Sequence, residues 1–481
     1  MANIVRSAAE VSSSFVERYL PSAFLFAIIL SFVAYAWAFV AVQPSGTYVD
    51  HAENLLRIGW YGGFWNLLSF AMQMTLILMT GYALAQTDVV DRLLAWLASS
   101  PSSEKGAAAL VPVTAAVASF IHWGLGLVVG AILARKVAHE FQSIDFPIVV
   151  AGAYSGFLVW HGGLAGSIPL VMNSSADAGN FLLAQGVISQ TYGTGTTIFT
   201  MANLVLVGVI AFLFLPAVYL LMYPEDDAKK TPIDPDELED ADAAPNGGDD
   251  VDAPAPTTGS MTLAERVEHS RGLAVTIGLA GLLGVVAYFA NGLANGTMPW
   301  NNLNLNIVNF TFLFLGITLH GTPKAYIEAM KEAVENVWGI ILQFPFYAGI
   351  MGIMSYAPEG STSLATQIAQ TLVQISPDGA LPAISFLAAG LVNIFVPSGG
   401  GEWAVIGETL VTAAQESGTS IPRVAMAAAW GDAWTNMIQP FWAIPLLAIS
   451  GLNVRDIMGY CVVVLLGSGL IIALGITFLP M

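Results

Sequence analysis

Long apolar segments dominate this chain and restrict it to folds that cross a membrane. The 481 residues are 56% hydrophobic and 10% charged, and the mean hydropathy is +0.68. Soluble domains are far less apolar, and a helix needs about 20 largely apolar residues to cross a bilayer. We therefore predict an all-α polytopic membrane protein. The predicted spanning segments are 21–42, 63–86, 145–171, 197–222, 271–291, 303–320, 336–356, 421–449 and 456–479.

Two further apolar stretches, about 107–137 and 382–413, are interrupted by glycine near their centres. The second contains NIFVPSGGGEWAVIGE from Asn393 to Glu408, in which a proline, a serine and three glycines oppose a continuous helix. Irregular backbone at membrane depth is tolerated only where protein buries it or where it lines a polar cavity. We predict that both stretches are re-entrant hairpins, which enter and leave the membrane on one side.

Acidic residues are concentrated between two groups of spans. Residues 224–259 hold 12 of the 34 acidic residues and two lysines, with many prolines and alanines and no apolar period. This composition predicts a solvated, disordered linker over 223–270, and it suggests a halophilic source. A passive spacer is favoured over a regulatory or partner-binding segment. The single cysteine, Cys461, allows no intrachain disulfide.

An internal comparison indicates two repeats of inverted topology. The matched segments are NLLSFAMQM from Asn66 with NVWGIILQF from Asn336, SFIHWGLGL from Ser119 with NIFVPSGGG from Asn393, and FPIVVAGAYSG from Phe146 with IPRVAMAAAWG from Ile421. Their offsets are 270, 274 and 275 residues, and this near-constancy is more informative than any single match. We place repeat 1 at 21–222 and repeat 2 at 300–481, joined by the linker and the span 271–291.

The positions of the basic residues predict the orientation of the chain. If each interrupted stretch is a hairpin, nine spans place 13 of the 15 basic residues on the cytoplasmic side, together with the N-terminal segment 1–20. Only Arg57 and Arg423 then lie outside, as the positive-inside rule favours. The N-terminus lacks the features of a cleaved signal peptide and is expected to be retained. The expected location is the cell membrane, with the N-terminus and the acidic linker cytoplasmic.

Four backbone breaks at equivalent depth are the candidate functional elements. They are SFIHWGLGL and NIFVPSGGGEW at the two hairpin tips, VWHGGLAGS in the third span and GDAWTNMIQP in the eighth. The N-terminus of a half-helix favours an anion, whereas exposed carbonyls and hydroxyls suit a small cation. Ser398 and the glycines Gly399, Gly400 and Gly401 form a candidate anion cradle. The alternative is that these glycines only allow helices to pack closely.

Ionisable residues within the membrane are functional candidates because hydrocarbon disfavours them. Asp432, beside Thr435 and Asn436, is favoured as a cation or proton site over an internally paired structural acid. Glu402 either satisfies a helix N-terminus or carries a coupling charge, and the sequence leaves both open. His122 and His161 either contact substrate or form hydrogen bonds in the core.

Four motifs resemble those of the bacterial and archaeal short-chain fatty acid transporter family, the permeases associated with acetoacetate and butyrate use. They are FVPSGGGEWAVIGE from Phe395, VWHGGLAGSIPL from Val159, SFIHWGLGLVVGA from Ser119 and AWGDAWTNMIQPFWA from Ala429. The resemblance runs from about 15 to 222 and from 262 to 481. That family is similar to the ion transporter superfamily. The resemblance therefore implies a homodimer whose scaffold domain supports a transport domain with two opposed hairpins, which moves like an elevator.

On this resemblance, both hairpin tips contact the substrate carboxylate and the coupling ion. The candidate substrate-binding residues are Ser398, Gly399, Gly400, Gly401, His122, Trp123, Gly124, His161 and Asn436. The candidate residues for cation or proton coupling are Ser119, Gly162, Asn393, Glu402, Asp432 and Thr435. We expect no cofactor beyond Na⁺ or H⁺ as the coupling ion, and the hairpin tips are the candidate Na⁺ sites.

These observations favour a secondary active transporter of short-chain monocarboxylates coupled to Na⁺ or H⁺. Neither the tips nor the other two breaks contain Arg or Lys, which argues against dicarboxylates. The expected partners are a short-chain carboxylate, the lipid bilayer and a second copy of the chain, with no nucleic acid. Another organic anion or amino-acid derivative is the alternative substrate. A passive channel and an intramembrane metal-dependent enzyme using His122, His161, Asp432 and Glu402 are alternatives of other classes.

Overall fold

The computed structural model describes residues 23–480 except 45, 67, 177–178, 235–261, 296–298, 303–304, 336, 375–376 and 378. The described residues form helices, short 3-10 or π-helical turns and loops, and they include no strand. The all-helical prediction is therefore confirmed. The predicted N-terminal segment 1–20 and most of the predicted linker lie outside the described residues.

The first half contains α1 (Ala23–Ala41), α2 (Tyr48–Asn54), α3 (Leu68–Ala85), α4 (Asp88–Ser99), α5 (Glu104–Ile121), α6 (Trp123–Glu140), α7 (Phe146–Ser155), α8 (Ser167–Asn173), α9 (Phe181–Ala184), α10 (Met201–Val209) and α11 (Leu215–Met222). The helices α12 (Leu263–Glu268) and α13 (Arg271–Ala294) connect the halves. The second half contains α14 (Leu305–His320), α15 (Pro323–Glu335), α16 (Trp338–Ser355), α17 (Leu364–Gln374), α18 (Leu381–Asn393), α19 (Gly399–Ser417), α20 (Ile421–Thr435), α21 (Ala443–Ser450) and α22 (Val454–Phe478).

Among the residues that the structure describes, five helical segments are long and apolar enough to cross a membrane by length and composition. They are Glu104–Ile121, Phe146–Asn173, Met201–Met222, Arg271–Ala294 and Val454–Phe478. The structure thus supports a multi-pass membrane protein, whereas the count of nine spans stays a prediction.

Within the predicted hairpin 107–137, α5 and α6 have 18 residues each and only His122 separates them. Each is about 27 Å long at 1.5 Å per residue.

Among the helices that lie outside the predicted apolar segments, α4, α15 and α17 are amphipathic. Each has polar and apolar residues on different faces, so no continuous apolar run marks it. The side chains of Thr322 and Ser363 cap the starts of α15 and α17, whereas Thr87 precedes α4 without a side-chain cap hydrogen bond.

The two ends of the predicted linker are partly described. Lys230 Nζ lies 2.6 Å from both Glu104 Oε2, at the start of α5, and Asp227 Oδ1. The carbonyl of Thr231 accepts a hydrogen bond from the N–H of Phe146, at the start of α7. Residues that follow α11 therefore pack against the ends of α5 and α7.

The helices pack in two groups. The segments α5–α8 pack with α18–α22, and α1, α3, α13, α14 and α16 pack mainly with one another. In the 28-residue segment Phe146–Asn173, 94% of an 18-residue apolar stretch is buried inside the protein, compared with 22% of the corresponding stretch in α13.

The start of α7 is well defined. Asp145 caps this helix by accepting a hydrogen bond from the N–H of Ile148 at 3.4 Å, and Pro147 follows in the first turn.

Candidate functional site

Four breaks in the α-helices meet in the core formed by α5–α8 and α18–α22. They are His122 between α5 and α6, the 3-10 segment with following loop at 156–166, the loop 394–398 before α19, and the turn 436–442 after α20. The N–H of Leu164 donates to the carbonyl of Phe120 at 2.7 Å, which joins the first two breaks. Trp442 Nε1 donates to the carbonyl of Pro397 at 2.9 Å, which joins the last two.

Aromatic side chains link the two pairs of breaks. The ring centroid of Trp123, just after the first break, lies 4.9 Å from that of Trp442 and 6.3 Å from that of Trp160. Trp160 stacks on His161 with 4.0 Å between centroids, and its Nε1 donates to Asn436 Oδ1 at 3.0 Å. Residues of both halves thus form one continuous set around the breaks.

Two long helices begin inside this core. His122 Nδ1 accepts from the N–H of Leu125 at the start of α6, at 3.3 Å. Ser398 Oγ accepts from the N–H of Gly401 at the start of α19, at 3.4 Å. Because helix N-termini carry free N–H groups and a partial positive charge, both starts can stabilise an anion.

Two buried donors near these helix starts have no hydrogen-bond partner among the described residues. The Nδ1 of His122 accepts from a backbone N–H, so its proton resides on Nε2, which is unpartnered. Asn436 Oδ1 accepts from the indole N–H of Trp160, which fixes the orientation of the amide. The other end of the amide, Nδ2, is unpartnered. Both side chains are 0% exposed, and buried donors of this kind normally have an acceptor.

His161 and Asp432 form a buried pair between the halves. His161 Nδ1 lies 2.8 Å from Asp432 Oδ2. On the other side of the ring, Nε2 lies 3.0 Å from the backbone nitrogen of Ile168 and 3.1 Å from Ser167 Oγ. Since a backbone N–H can only donate, Nε2 is the acceptor and the single ring proton is on Nδ1, directed at Asp432.

The Glu402 carboxyl contacts the carboxyl of Asp432. Both residues are 0% exposed, and neither oxygen of Glu402 accepts a hydrogen bond from a donor of the described chain. Asn393 Nδ2 donates to the carbonyl of Asp432 and to Thr435 Oγ1, each at 2.9 Å, and so holds the end of α18 against α20. Two carboxyls, one imidazole and neutral amides thus surround the second pair of breaks.

Comparison with known proteins gives the class of the chain. Residues 4–479 match the family described as short chain fatty acid transporter. The chain belongs to the short-chain fatty acid transporter family. A relative from Haemophilus influenzae Rd is 36% identical over 97% of this chain and 98% of its own length, and one from Escherichia coli K12 is 37% identical over 96% and 97%. Each is named "Putative short-chain fatty acid transporter". The family is one of transporters and not of enzymes, so the enzyme alternative is set aside.

Two solved structures are similar to this transporter in part. The Alcanivorax borkumensis YdaH transporter has 16% identity and a TM-score of 0.46, with 96% of this chain and 99% of that chain covered. The Neisseria gonorrhoeae efflux pump MtrF has 16% identity and a TM-score of 0.47, with 98% and 97% covered. Similarity at this level carries no conclusion about the substrate or the arrangement of the helices.

The structure places the predicted site residues of the transporter in two clusters. One cluster surrounds His161 and contains Gly399, Glu402, Asp432, Thr435, Asn436 and Asn393. The other, around His122, contains Ser119, Trp123 and Gly124. Trp123 bridges the two clusters through Trp160 and Trp442.

Close packing accounts for two of the predicted glycines. A Cβ at Gly124 would lie 3.1 Å from Ile77 Cγ2, and one at Gly162 would lie 2.7 Å from Asn203 Oδ1. The hydroxyl of Ser119 is buried without a hydrogen-bond partner among the described residues, and it faces Gly126, where a Cβ would lie 1.9 Å away. These residues let helices and breaks approach one another.

The sequence reasoning missed Asn203, which organises the break that carries His161. Its Nδ2 donates to the carbonyls of Gly162 and Ile198, each at 2.8 Å, and its Oδ1 accepts from Trp430 Nε1 at 3.0 Å. A single asparagine within the apolar segment MANLVLVG was the available signal.

Proposed function

We propose that this protein is a secondary active transporter that carries short-chain monocarboxylates together with a cation. The observation that carries the proposal is the start of α6 and α19 at buried breaks, next to the unpartnered donors His122 Nε2 and Asn436 Nδ2. Neutral donors and helix N-termini suit a single carboxylate, and membership of the family supports a short chain.

The substrate carboxylate lies, in this proposal, between the two helix starts. Ser398 and the N–H groups of Gly399 and Gly400 face it from α19, where the N–H of Gly401 donates to Ser398 Oγ, and His122 faces it from the start of α6. Apolar rings at Trp123 and Trp160 would contact the aliphatic tail, since both lie in the aromatic set between the clusters.

Alternating access is proposed to follow an elevator-like motion. The candidate site residues are buried, so substrate can reach them only if helices move. In this proposal, α5–α8 and α18–α22 form the transport domain together with α10 and α11, which pack against α5 and α22, and α1, α3, α13, α14 and α16 form the scaffold. The scaffold would also form the proposed homodimer.

The inverted repeats are proposed to relate the two halves. Trp123 and Gly399, Phe146 and Ile421, and Ser167 and Ala443 begin corresponding helices, and the members of each pair are 275 or 276 residues apart. The helix pairs α5–α6 and α18–α19 return the chain to the side from which it entered, whether they cross the bilayer fully or in part. The proposed orientation, with the N-terminus and the acidic linker cytoplasmic, therefore does not depend on hairpin depth.

Uptake by the purified protein in liposomes tests this function. The panel is acetate, butyrate, acetoacetate, succinate and an amino acid, with Na⁺ and proton gradients imposed separately. We expect saturable uptake of the monocarboxylates and competition among them, and protein-free liposomes measure passive entry of the uncharged acids. Uptake of succinate or the amino acid alone would favour the alternative substrate classes, and flux that never exceeds equilibrium would indicate a channel.

A further inference from the structure

We propose that the coupling ion is a proton and that the contacting carboxyls of Glu402 and Asp432 carry it, with His161 as a positioning residue. The inference rests on the proposed monocarboxylate transport and specifies its coupling. Two carboxyls that touch away from water cannot both be ionised without a large energetic penalty. The pair therefore holds one proton when the site is closed to solvent.

The contacts of His161 assign the charges within this cluster. The Ile168 N–H occupies Nε2, so the ring cannot take a second proton without losing that hydrogen bond. The imidazole therefore directs its Nδ1 proton at Asp432 Oδ2. This contact stabilises the negative charge on Asp432, and the exchangeable proton then resides on Glu402, whose oxygens receive no other described donor.

No basic side chain of the described neighbouring elements faces the carboxyl pair. The helix α20 packs against α8, α18, α19, α22 and the 3-10 segment 156–162. Their other ionisable groups are Glu408 and Glu416, which are exposed on α19, and Arg455, Asp456, Tyr460 and Cys461 on α22. Arg423, at the start of α20, instead donates to the carbonyls of Ile476, Thr477 and Leu479. Loss of the proton would therefore leave a second negative charge without a compensating cation.

Repulsion between this uncompensated charge and the substrate carboxylate couples the binding of the proton to the binding of the substrate. Glu402 lies in the first turn of α19, the turn that is proposed to bind the substrate carboxylate. Two negative charges about one helical turn apart repel each other enough, at an effective dielectric constant of about 20, to weaken binding by on the order of 100-fold. The anion therefore binds only after Glu402 is protonated, and a loaded site carries one proton for each monocarboxylate.

The test uses the full-length protein in liposomes with radiolabelled butyrate. Counterflow at equal pH on both sides reports binding and exchange, whereas an inward proton gradient without Na⁺ reports coupling. We expect the unmodified protein to accumulate butyrate with the proton gradient at an initial rate above that of protein-free liposomes, and not to accumulate it with a Na⁺ gradient at equal pH. Butyrate affinity should fall about tenfold for each pH unit above the pKa of the pair.

Variants of the acid pair separate coupling from substrate binding. Glu402→Gln should retain counterflow, no longer accelerate proton-driven accumulation over protein-free liposomes, and make butyrate affinity independent of pH. Glu408→Gln, on the same helix but exposed, should behave like the unmodified protein. His161→Gln should shift the pH at which affinity falls rather than abolish the dependence. Melting temperature and gel-filtration profile confirm folding, and Asp432→Asn provides a second variant of the pair.

Three results would overturn the proton assignment: accumulation driven by Na⁺ at equal pH, pH-independent affinity in the unmodified protein, or proton-driven uptake that stays faster than in protein-free liposomes in both Glu402→Gln and Asp432→Asn. A different failure, with no butyrate counterflow in the unmodified protein, would refute the proposed function itself. Loss of counterflow in folded Glu402→Gln would assign Glu402 to substrate binding and also count against the inference.

Discussion

Gly399 packs so closely against His161 that a Cβ at position 399 would lie 2.1 Å from Cε1 of the imidazole. The same Cβ would lie 2.6 Å from Ser167 Oγ. The start of α19 therefore fits the break in the first half only because this residue is glycine.

Replacement of Gly399 by alanine should disrupt this fit. Overpacking of this kind typically lowers the free energy of unfolding by about 1–3 kcal/mol, and displacement of His161 should reduce butyrate uptake at least tenfold. Thermal unfolding and uptake in liposomes measure the two effects. Gly208→Ala is the matched control, because no atom lies within 4 Å of a Cβ there. Unchanged uptake by Gly399→Ala would show that the contact is not needed.

Asn203 should contribute strongly to stability. Leucine at this position would leave the carbonyls of Gly162 and Ile198 and the indole N–H of Trp430 without their partner. Each buried unpaired group is unfavourable by about 1–3 kcal/mol, so we expect a clear drop in melting temperature. Asn295→Ala should change little, since the Asn295 side chain is exposed and hydrogen-bonds only to Asn291 among its described contacts.

Asn436→Asp should weaken substrate binding while preserving the contact with Trp160. The new carboxylate can still accept from Trp160 Nε1, but it replaces the unpartnered N–H₂ donor with a negative charge. Repulsion of the substrate carboxylate should raise the butyrate concentration for half-maximal binding about 10- to 100-fold. Asn295→Asp adds the same charge at an exposed position and should have no effect. Equal affinity in the two variants would place the carboxylate elsewhere.

Asp145→Asn should stabilise the protein at neutral pH but not in acid. Burial raises the pKa of the Asp145 carboxyl to about 6, despite opposing effects of the Ile148 N–H and Lys230. A carboxyl with a raised pKa favours the folded state while protonated, below its ordinary pKa near 3.8, and this contribution is lost as the pH rises through about 6. Asparagine keeps the N-cap acceptor without the charge.

The expected gain for Asp145→Asn is roughly 2–3 kcal/mol at pH 8, and it should shrink toward pH 4. Melting temperatures of the two proteins across this range measure it. Asp50→Asn is a control whose effect on stability should change with pH in the opposite direction, because hydrogen bonds from Thr47 lower the pKa of the Asp50 carboxyl. A pH-independent difference at position 145 would contradict the role assigned to its charge.

The boundaries of α13 and α22 lie within a few residues of those predicted, because hydrocarbon requires long apolar segments that are visible in a sequence. It also identified the breaks, since glycine, proline and serine oppose helix at identifiable positions. Amphipathic helices such as α4 and α15 were missed because their signal is periodic rather than continuous.

The candidate site was predictable as a set of residues but not as a network. Asp432 and Glu402 stood out because charge within an apolar segment is rare. Asp432 contacts Glu402 and pairs with His161, and both partners are distant from it in the chain. A single sequence does not show that such residues lie close together in space. The tautomer of His161 depends on one backbone N–H, which no side-chain pattern encodes.

The acid pair has no counterpart in the first half. At an offset of 274 or 275 residues, Asp432 corresponds to Leu158 or Phe157, and Glu402 to Val128 or Leu127. If the two halves are repeats, as proposed, only the second contains this acid pair. If one proton accompanies one carboxylate, each turnover moves no net charge, so membrane voltage does no work on the cycle and accumulation ends when the concentration gradients of acid and proton balance.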